Sequence, residues 1–233
     1  MPKDVIIPLD FSSARKACDF LELFPAGEKP FVKIGMELFY AEGPAVVREI
    51  KARGHKIFLD LKLHDIPNTV RKAMEALSAL DVELCNLHVA GTIEMMRAAL
   101  RGLIRPDGTR PLLIGVTQLT STSEERMQKE LLISASMEET VLQYAKNARL
   151  AGLDGVVCSP LEAAAVKKAC GADFLTVTPG VRFAESAADD QARVMTPEKA
   201  RGAGSDYIVV GRPILSAAEP VAAYRRCVRE FLG

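Results

Sequence analysis

The chain has 233 residues, of which 48% are hydrophobic and 26% charged; that length suits a single α/β barrel and that composition excludes disorder. Thirty basic residues cancel thirty acidic ones, so no overall field draws in nucleic acid or an anionic membrane, and any bound anion must be held by a local cluster.

The N-terminal run Met1-Pro-Lys-Asp-Val-Ile-Ile-Pro-Leu-Asp10 meets a carboxylate too soon for the apolar region of a signal peptide, and no long apolar stretch follows. A cytoplasmic protein is expected. Short apolar runs rich in β-branched residues predict strands over Val5–Asp10, Phe31–Gly35, Lys56–Lys62, Val82–Val89, Pro111–Leu119, Gly155–Ser159, Phe174–Pro179 and Tyr207–Gly211. Apolar residues at three- and four-residue steps predict helices over Pro44–Arg53, Val70–Leu80, Ile93–Leu103, Glu138–Ala151, Leu161–Cys170 and Glu219–Leu232. Ser12 is placed to cap the first helix, Pro67 suits a first turn, and Thr196-Pro197-Glu198 reads as a cap followed by proline.

No Gly/Ser tract or low-complexity run interrupts the series, so residues 1–233 read as one domain. Eight buried strands alternating with crossover helices predict an α/β fold, a single-domain (β/α)8 TIM barrel with an all-parallel sheet. Ser121–Met137 and Val181–Met195 lack clear periodicity and are long for a compact domain, which suggests lid or binding loops.

Five cysteines, Cys18, Cys85, Cys158, Cys170 and Cys227, are odd in number and widely spaced, so buried thiols are expected rather than disulfides or zinc ligands. The three histidines, His55, His64 and His88, form neither an H-E-x-x-H motif nor a Cys/His cluster, so no metal site is indicated. A G-x-S-x-G elbow, a G-x-G-x-x-G turn and a Walker loop are all missing from the sequence, which argues against a serine triad and nucleotide-cofactor chemistry.

Charge inside strands is the informative feature. In Ile57-Phe58-Leu59-Asp60-Leu61-Lys62-Leu63 the period of two puts the leucines under the helices and turns Phe58, Asp60 and Lys62 into the barrel. The two charges then lie at the strand's C-terminal end, where barrel enzymes carry their active sites. Burying an ion costs several kcal/mol, only partly offset by pairing, so stability alone is a poor reason for the pair. Asp10, Lys33 and Asp65 add charges at neighbouring strand ends. Alternating acids and amines would keep one another ionised, which suits a poised proton donor. Asn86 and His88 share a face of the fourth strand, either as a satisfied polar layer or as catalytic groups.

A second cluster is read from Thr178-Pro-Gly-Val-Arg182 after the seventh strand and Val210-Gly-Arg-Pro213 after the eighth. Barrels commonly bind phosphate there: Gly211 allows close backbone approach and Arg212 adds a charged fork.

The segment Asp60-Leu-Lys62-Leu-His-Asp65-Ile-Pro-Asn-Thr69, written D-x-K-x-x-D-I-P-x-T, resembles the signature of the orotidine 5′-phosphate decarboxylase family, most like its bacterial branch. The likeness extends in order through Pro8-Leu-Asp10, Lys33, Thr178 to Arg182, Asp190-Gln191, Met195-Thr-Pro197 and Val210-Gly-Arg212. The shorter D-x-K-x-x-D also occurs in related magnesium-using barrels, 3-keto-L-gulonate 6-phosphate decarboxylase and hexulose phosphate synthase. The resemblance implies conversion of orotidine 5′-phosphate to UMP and CO2, the last step of UMP synthesis, without a cofactor. It implies Lys62 as proton donor to C6, Asp60 beside the departing CO2, and Lys33 and Asp65 completing the charged array. Asp10 and Lys33 would hold the ribose, Thr120 the pyrimidine edge, and Arg182, Gln191, Gly211 and Arg212 the phosphate. Ile66 and Pro179 would wall the leaving carboxylate. Asp65 and Thr69 would come from the other subunit of a homodimer with shared sites. The metal-using relatives carry an acid on the second strand where this chain has Lys33, which disfavours a magnesium site. The other readings are a magnesium-dependent sugar-phosphate enzyme on the same barrel and a silent nucleotide-phosphate binding protein.

Overall fold

Eight parallel strands close in chain order into a barrel, as the alternation of apolar runs and amphipathic helices leads one to expect. The computed structural model describes residues 3–185 and 195–233. The order is β1 (Asp4–Pro8), α1 (Ala14–Leu21), β2 (Phe31–Gly35), α2 (Met36–Glu42), α3 (Pro44–Ala52), β3 (Ile57–Leu63), α4 (Pro67–Ser78), β4 (Leu84–His88), α5 (Thr92–Leu103) and β5 (Leu112–Val116). It continues through α6 (Glu124–Glu130), α7 (Met137–Ala151), β6 (Gly155–Val157), α8 (Ala163–Cys170), β7 (Leu175–Pro179), α9 (Pro197–Gly202), β8 (Tyr207–Val209), α10 (Arg212–Leu215) and α11 (Pro220–Leu232).

The period of two divides each strand between two cores. Ile6, Phe31, Phe58, Leu84, Ile114, Leu175, Val177 and Tyr207 fill the barrel interior. Leu59, Leu61, Cys85, Leu87 and Leu113 pack outward against the helices, with residues such as Val70, Met74 and Met95. A fully buried leucine, isoleucine or phenylalanine contributes roughly 1.5–3 kcal/mol, so these layers fix the position of the strand ends that carry charge. All five cysteines are buried and free, as expected. His55 is buried as well and serves structure, its ring Nδ1 lying 3.0 Å from the Pro30 carbonyl.

Helix boundaries follow their caps. Ser136 and Glu139 form a capping box on α7, and Gly152 ends that helix in the left-handed region at φ 97°. Thr196 accepts from the Lys199 amide ahead of Pro197, and α4 begins on Pro67, both as the sequence predicts. The first helix differs: it starts at Ala14, so the extended residue before it is Ser13, whose hydroxyl accepts from the Lys16 amide, while Ser12 accepts from the Lys16 side chain.

Ser121–Met137 is not a bare loop. Ser123 caps α6, and Glu124 and Glu125 favour its first turn, but Met127 is its one buried residue, so no apolar period marks it in the sequence. Helix α2 is likewise unmarked, burying only Leu38 before Gly43, at φ 68°, breaks the chain ahead of Pro44. The predicted strands β1, β5, β6 and β8 overrun their observed ends, because their last residues leave the ladder to form the loops at the rim.

Candidate active site

Three strand ends bring four charges into one line. Lys33, on β2, places Nζ 3.3 Å from Asp10 Oδ1 and 3.3 Å from Asp60 Oδ2. Lys62 Nζ lies 2.6 Å from Asp60 Oδ1. Acid and amine therefore alternate as Asp10, Lys33, Asp60, Lys62, the pattern expected from the alternation in the third strand. Asp60 is only 8% exposed. Burial alone would raise its carboxyl, but the Lys33 and Lys62 ammoniums, with hydrogen bonds from Lys62 and Asn86, hold it below the usual carboxylate value. Asp60 is thus held toward its anionic form.

The backbone under Lys62 is unusual. The ladder between β3 and β4 shifts register between Leu59 and Leu63, and Lys62 has φ 51°. Its N–H donates to Asn86 Oδ1 at 2.8 Å, and the Asn86 amide donates to Asp60 Oδ1 at 2.7 Å.

Lys33, Asp60 and Lys62 form one wall of a cavity of ≈ 200 Å³ inside the C-terminal mouth. Its floor is apolar, built from Phe58, Val116, Val157, Val177 and Val209, with Pro179 beside them and Gln118 and Thr120 at the rim. A flat, weakly polar ring with one edge toward the amines suits such a space. Gln118 escaped the sequence reading. Its signal was available, since Ile114, Val116 and Gln118 alternate on the inward face of the fifth predicted strand.

Arg182 follows β7, its N–H donating to the Met195 carbonyl at 3.1 Å, where Val181 and Met195 bridge. Arg212 opens α10 directly after Gly211, next to the C-terminal end of β8. Among the described residues neither guanidinium forms a salt bridge, so both remain available to an anion at the two strand ends where barrels hold phosphate. Gln191, with its neighbour Asp190, lies outside the described residues.

Asp65, Thr69 and Ile66 are not brought into the cavity by this one chain. Asp65 accepts from the Ile66 amide at 2.6 Å, and Ile66 is 66% exposed. Asp65 and Thr69 instead line a separate groove of ≈ 730 Å³ with Met36, Phe39 and Tyr40, which Lys62 also borders. His64 and His88 face each other with ring centroids 5.7 Å apart. Burial, then His64 and Lys62, push His88 below the ordinary imidazole value, which favours its neutral form.

A closed parallel barrel with an ionised Lys/Asp line against an apolar pocket, and guanidiniums after its last two strands, is the layout of a barrel enzyme acting on a phosphorylated ligand. The profile of the Orotidine 5'-phosphate decarboxylase / HUMPS family matches residues 3–227. A Geobacillus sp. (strain WCH70) protein named orotidine 5'-phosphate decarboxylase is 54% identical over 231 residues, 98% of this chain and 96% of its own length. One of the same name from Streptococcus pyogenes is 56% identical over 228 residues, 98% of this chain and 97% of its own. The crystal structure of orotidine 5'-phosphate decarboxylase from Lactobacillus acidophilus superposes with a TM-score of 0.89 at 40% identity, over 99% of this chain and 100% of that one. The chain belongs to the orotidine 5′-phosphate decarboxylase family.

Proposed function

We propose that this chain converts orotidine 5′-phosphate to UMP and CO2, as the last step of UMP synthesis in the cytoplasm, with Lys62 as the proton donor and no cofactor. The observation that carries the reading is the Lys62 ammonium, held 2.6 Å from Asp60 on the wall of an apolar, ring-sized cavity. Breaking the bond at C6 leaves an electron pair in the ring plane, with no conjugated sink. A fixed ammonium at that carbon is the most direct stabiliser, and it then supplies the proton.

In this reading Asp60 faces the substrate carboxylate and Pro179 gives the leaving CO2 an apolar wall. Thr120 holds the pyrimidine edge, Asp10 and Lys33 the ribose, and Arg182, Gly211, Arg212 and Gln191 the phosphate. Lys33 favours this reading over a magnesium-dependent sugar-phosphate reaction, because its ammonium already stands 3.3 Å from each of the two carboxylates that would otherwise face a cation. The test is loss of ultraviolet absorbance on orotidylate with and without EDTA. Equal turnover in both is expected. Loss on chelation would favour the magnesium reaction, and UMP binding without any turnover would leave a silent binding protein.

Asp65, Thr69 and Ile66 belong to the site of a second copy in this proposal. The groove that holds Asp65 and Thr69 is bordered by Met36, 45% exposed, and Tyr40, 72% exposed, an apolar rim suited to a dimer contact. Lys62→Ala and Asp65→Ala proteins, each inactive alone, should on mixing regain about a quarter of wild-type activity, since half the dimers are mixed and each has one complete site. Self-contained sites would give no recovery.

A further inference from the structure

Lys62 is held in a conformation its own side chain disfavours. A non-glycine residue at φ 51° inside a strand is strained by about 1–3 kcal/mol and persists only where its surroundings impose it. The β3–β4 ladder does not impose it, because regular pairing lapses between Leu59 and Leu63. The partner that takes the Lys62 N–H is a side chain, Asn86 Oδ1 at 2.8 Å.

The other end of that amide is committed as well. Asn86 Nδ2 donates to Asp60 Oδ1 at 2.7 Å, and Asp60 Oδ1 also accepts from Lys62 Nζ at 2.6 Å. One side chain thus ties the backbone of the amine-bearing residue to the carboxylate that aims the amine. Asn86 is 1% exposed, so neither bond can be replaced by bulk water. Its chemistry is narrowly set: the group at this position must accept on the Lys62 side and donate on the Asp60 side. Leucine can do neither, and an ionised aspartate can do only the first.

We infer that Asn86 is a positioning residue for the decarboxylation, fixing the bulge that turns Lys62 Nζ onto Asp60 and into the cavity. The inference rests on the proposed function for its kinetic readout alone. The charged and titratable groups around the amide are Asp60 and Lys62 on β3, Lys33 on β2, and His88 on β4 with His64 against it. Strand β5 presents apolar Ile114 and Val116 on its inward face.

Two variants test it. Asn86→Asp should lose about 10²-fold in kcat at neutral pH, the usual cost of misplacing a reacting group by about an ångström, with KM within threefold of wild type. The deficit should shrink as pH falls, because the introduced carboxyl, once protonated, can again accept from Lys62 and donate to Asp60. A deficit that is flat with pH, or one confined to KM, would overturn the proposal, since a packing role predicts no rescue by protons. The second test is independent of activity: in a crystal structure of Asn86→Leu, Lys62 should return to negative φ and its Nζ should leave Asp60. Retention of the wild-type Lys62 geometry would overturn the proposal. A wild-type protein without turnover of orotidylate would refute the decarboxylase reading and leave this structural test to decide the role of Asn86.

Discussion

Lys62→Ala should lower kcat on orotidine 5′-phosphate by at least about 10⁴-fold, since in the proposed mechanism it removes both the cation at the developing carbanion and the acid that quenches it. UMP binding should stay within a few-fold of wild type, because the proposed phosphate and ribose contacts are made by other residues. The substitution leaves Asp60 with the Lys33 ammonium at 3.3 Å and the Asn86 amide at 2.7 Å, so its charge remains compensated and the fold should survive. Steady-state kinetics beside UMP titration of the same preparation checks both halves. Near-normal turnover would remove Lys62 from the mechanism; an equal fall in UMP affinity would make it a binding residue.

Asp60→Asn should carry the next largest effect, and it acts on stability as well as rate. If Asp60 faces the substrate carboxylate, its removal takes away ground-state repulsion that ends as CO2 departs, and about 10³-fold in kcat, or about 4 kcal/mol, is expected. In the free protein the change leaves the Lys62 ammonium facing a neutral amide where a carboxylate stood 2.6 Å away, and Lys33 with Asp10 as its only remaining carboxylate. Breaking a fully buried pair costs about 3–5 kcal/mol; Lys62 keeps 25% of its side chain exposed, so about 2 kcal/mol is expected at neutral pH.

The pH dependence has a definite sign. Asp60 has a folded-state pKa below its ordinary value, through the two ammoniums that outweigh its burial. Its contribution is therefore complete above the ordinary carboxylate value and is lost as pH falls through the lower, folded-state value. Denaturant unfolding of both proteins across that range should show the difference closing only in acid. An Asp60→Asn protein more stable than wild type at neutral pH would mean that the array is strained overall and the two amines do not need their acid.

The barrel and the charged line were legible because both follow from the period of two. Leu59, Leu61 and Leu63 could only be the helix-facing seam, so Asp60 and Lys62 had to point inward, and the structure places them so. Periodicity is silent on what does not repeat. Helices α2 and α6 each bury one residue and left no pattern. The bulge at Lys62 was hidden because a register shift is settled between strands, by Asn86 taking a backbone bond, and no propensity of Lys62 announces a φ of 51°. Asn86 was read as sharing a face of the fourth strand with His88, but the choice between a polar layer and the site depended on distances to Asp60 and Lys62. Asp65 and Thr69 are a different case: their motif spacing is plain, yet one chain sends them to a groove that shares only Lys62 with the cavity, and their proposed role needs a second copy.

The most direct test is a crystal structure of the wild-type protein with UMP bound. The pyrimidine should lie in the cavity floored by Val116, Val157 and Val177, the phosphate against Arg182 and Arg212, and Lys62 Nζ about 3 Å from C6, within proton-transfer reach. A ring seated with C6 turned away from Lys62, or another side chain closer to that carbon, would contradict the proposed mechanism.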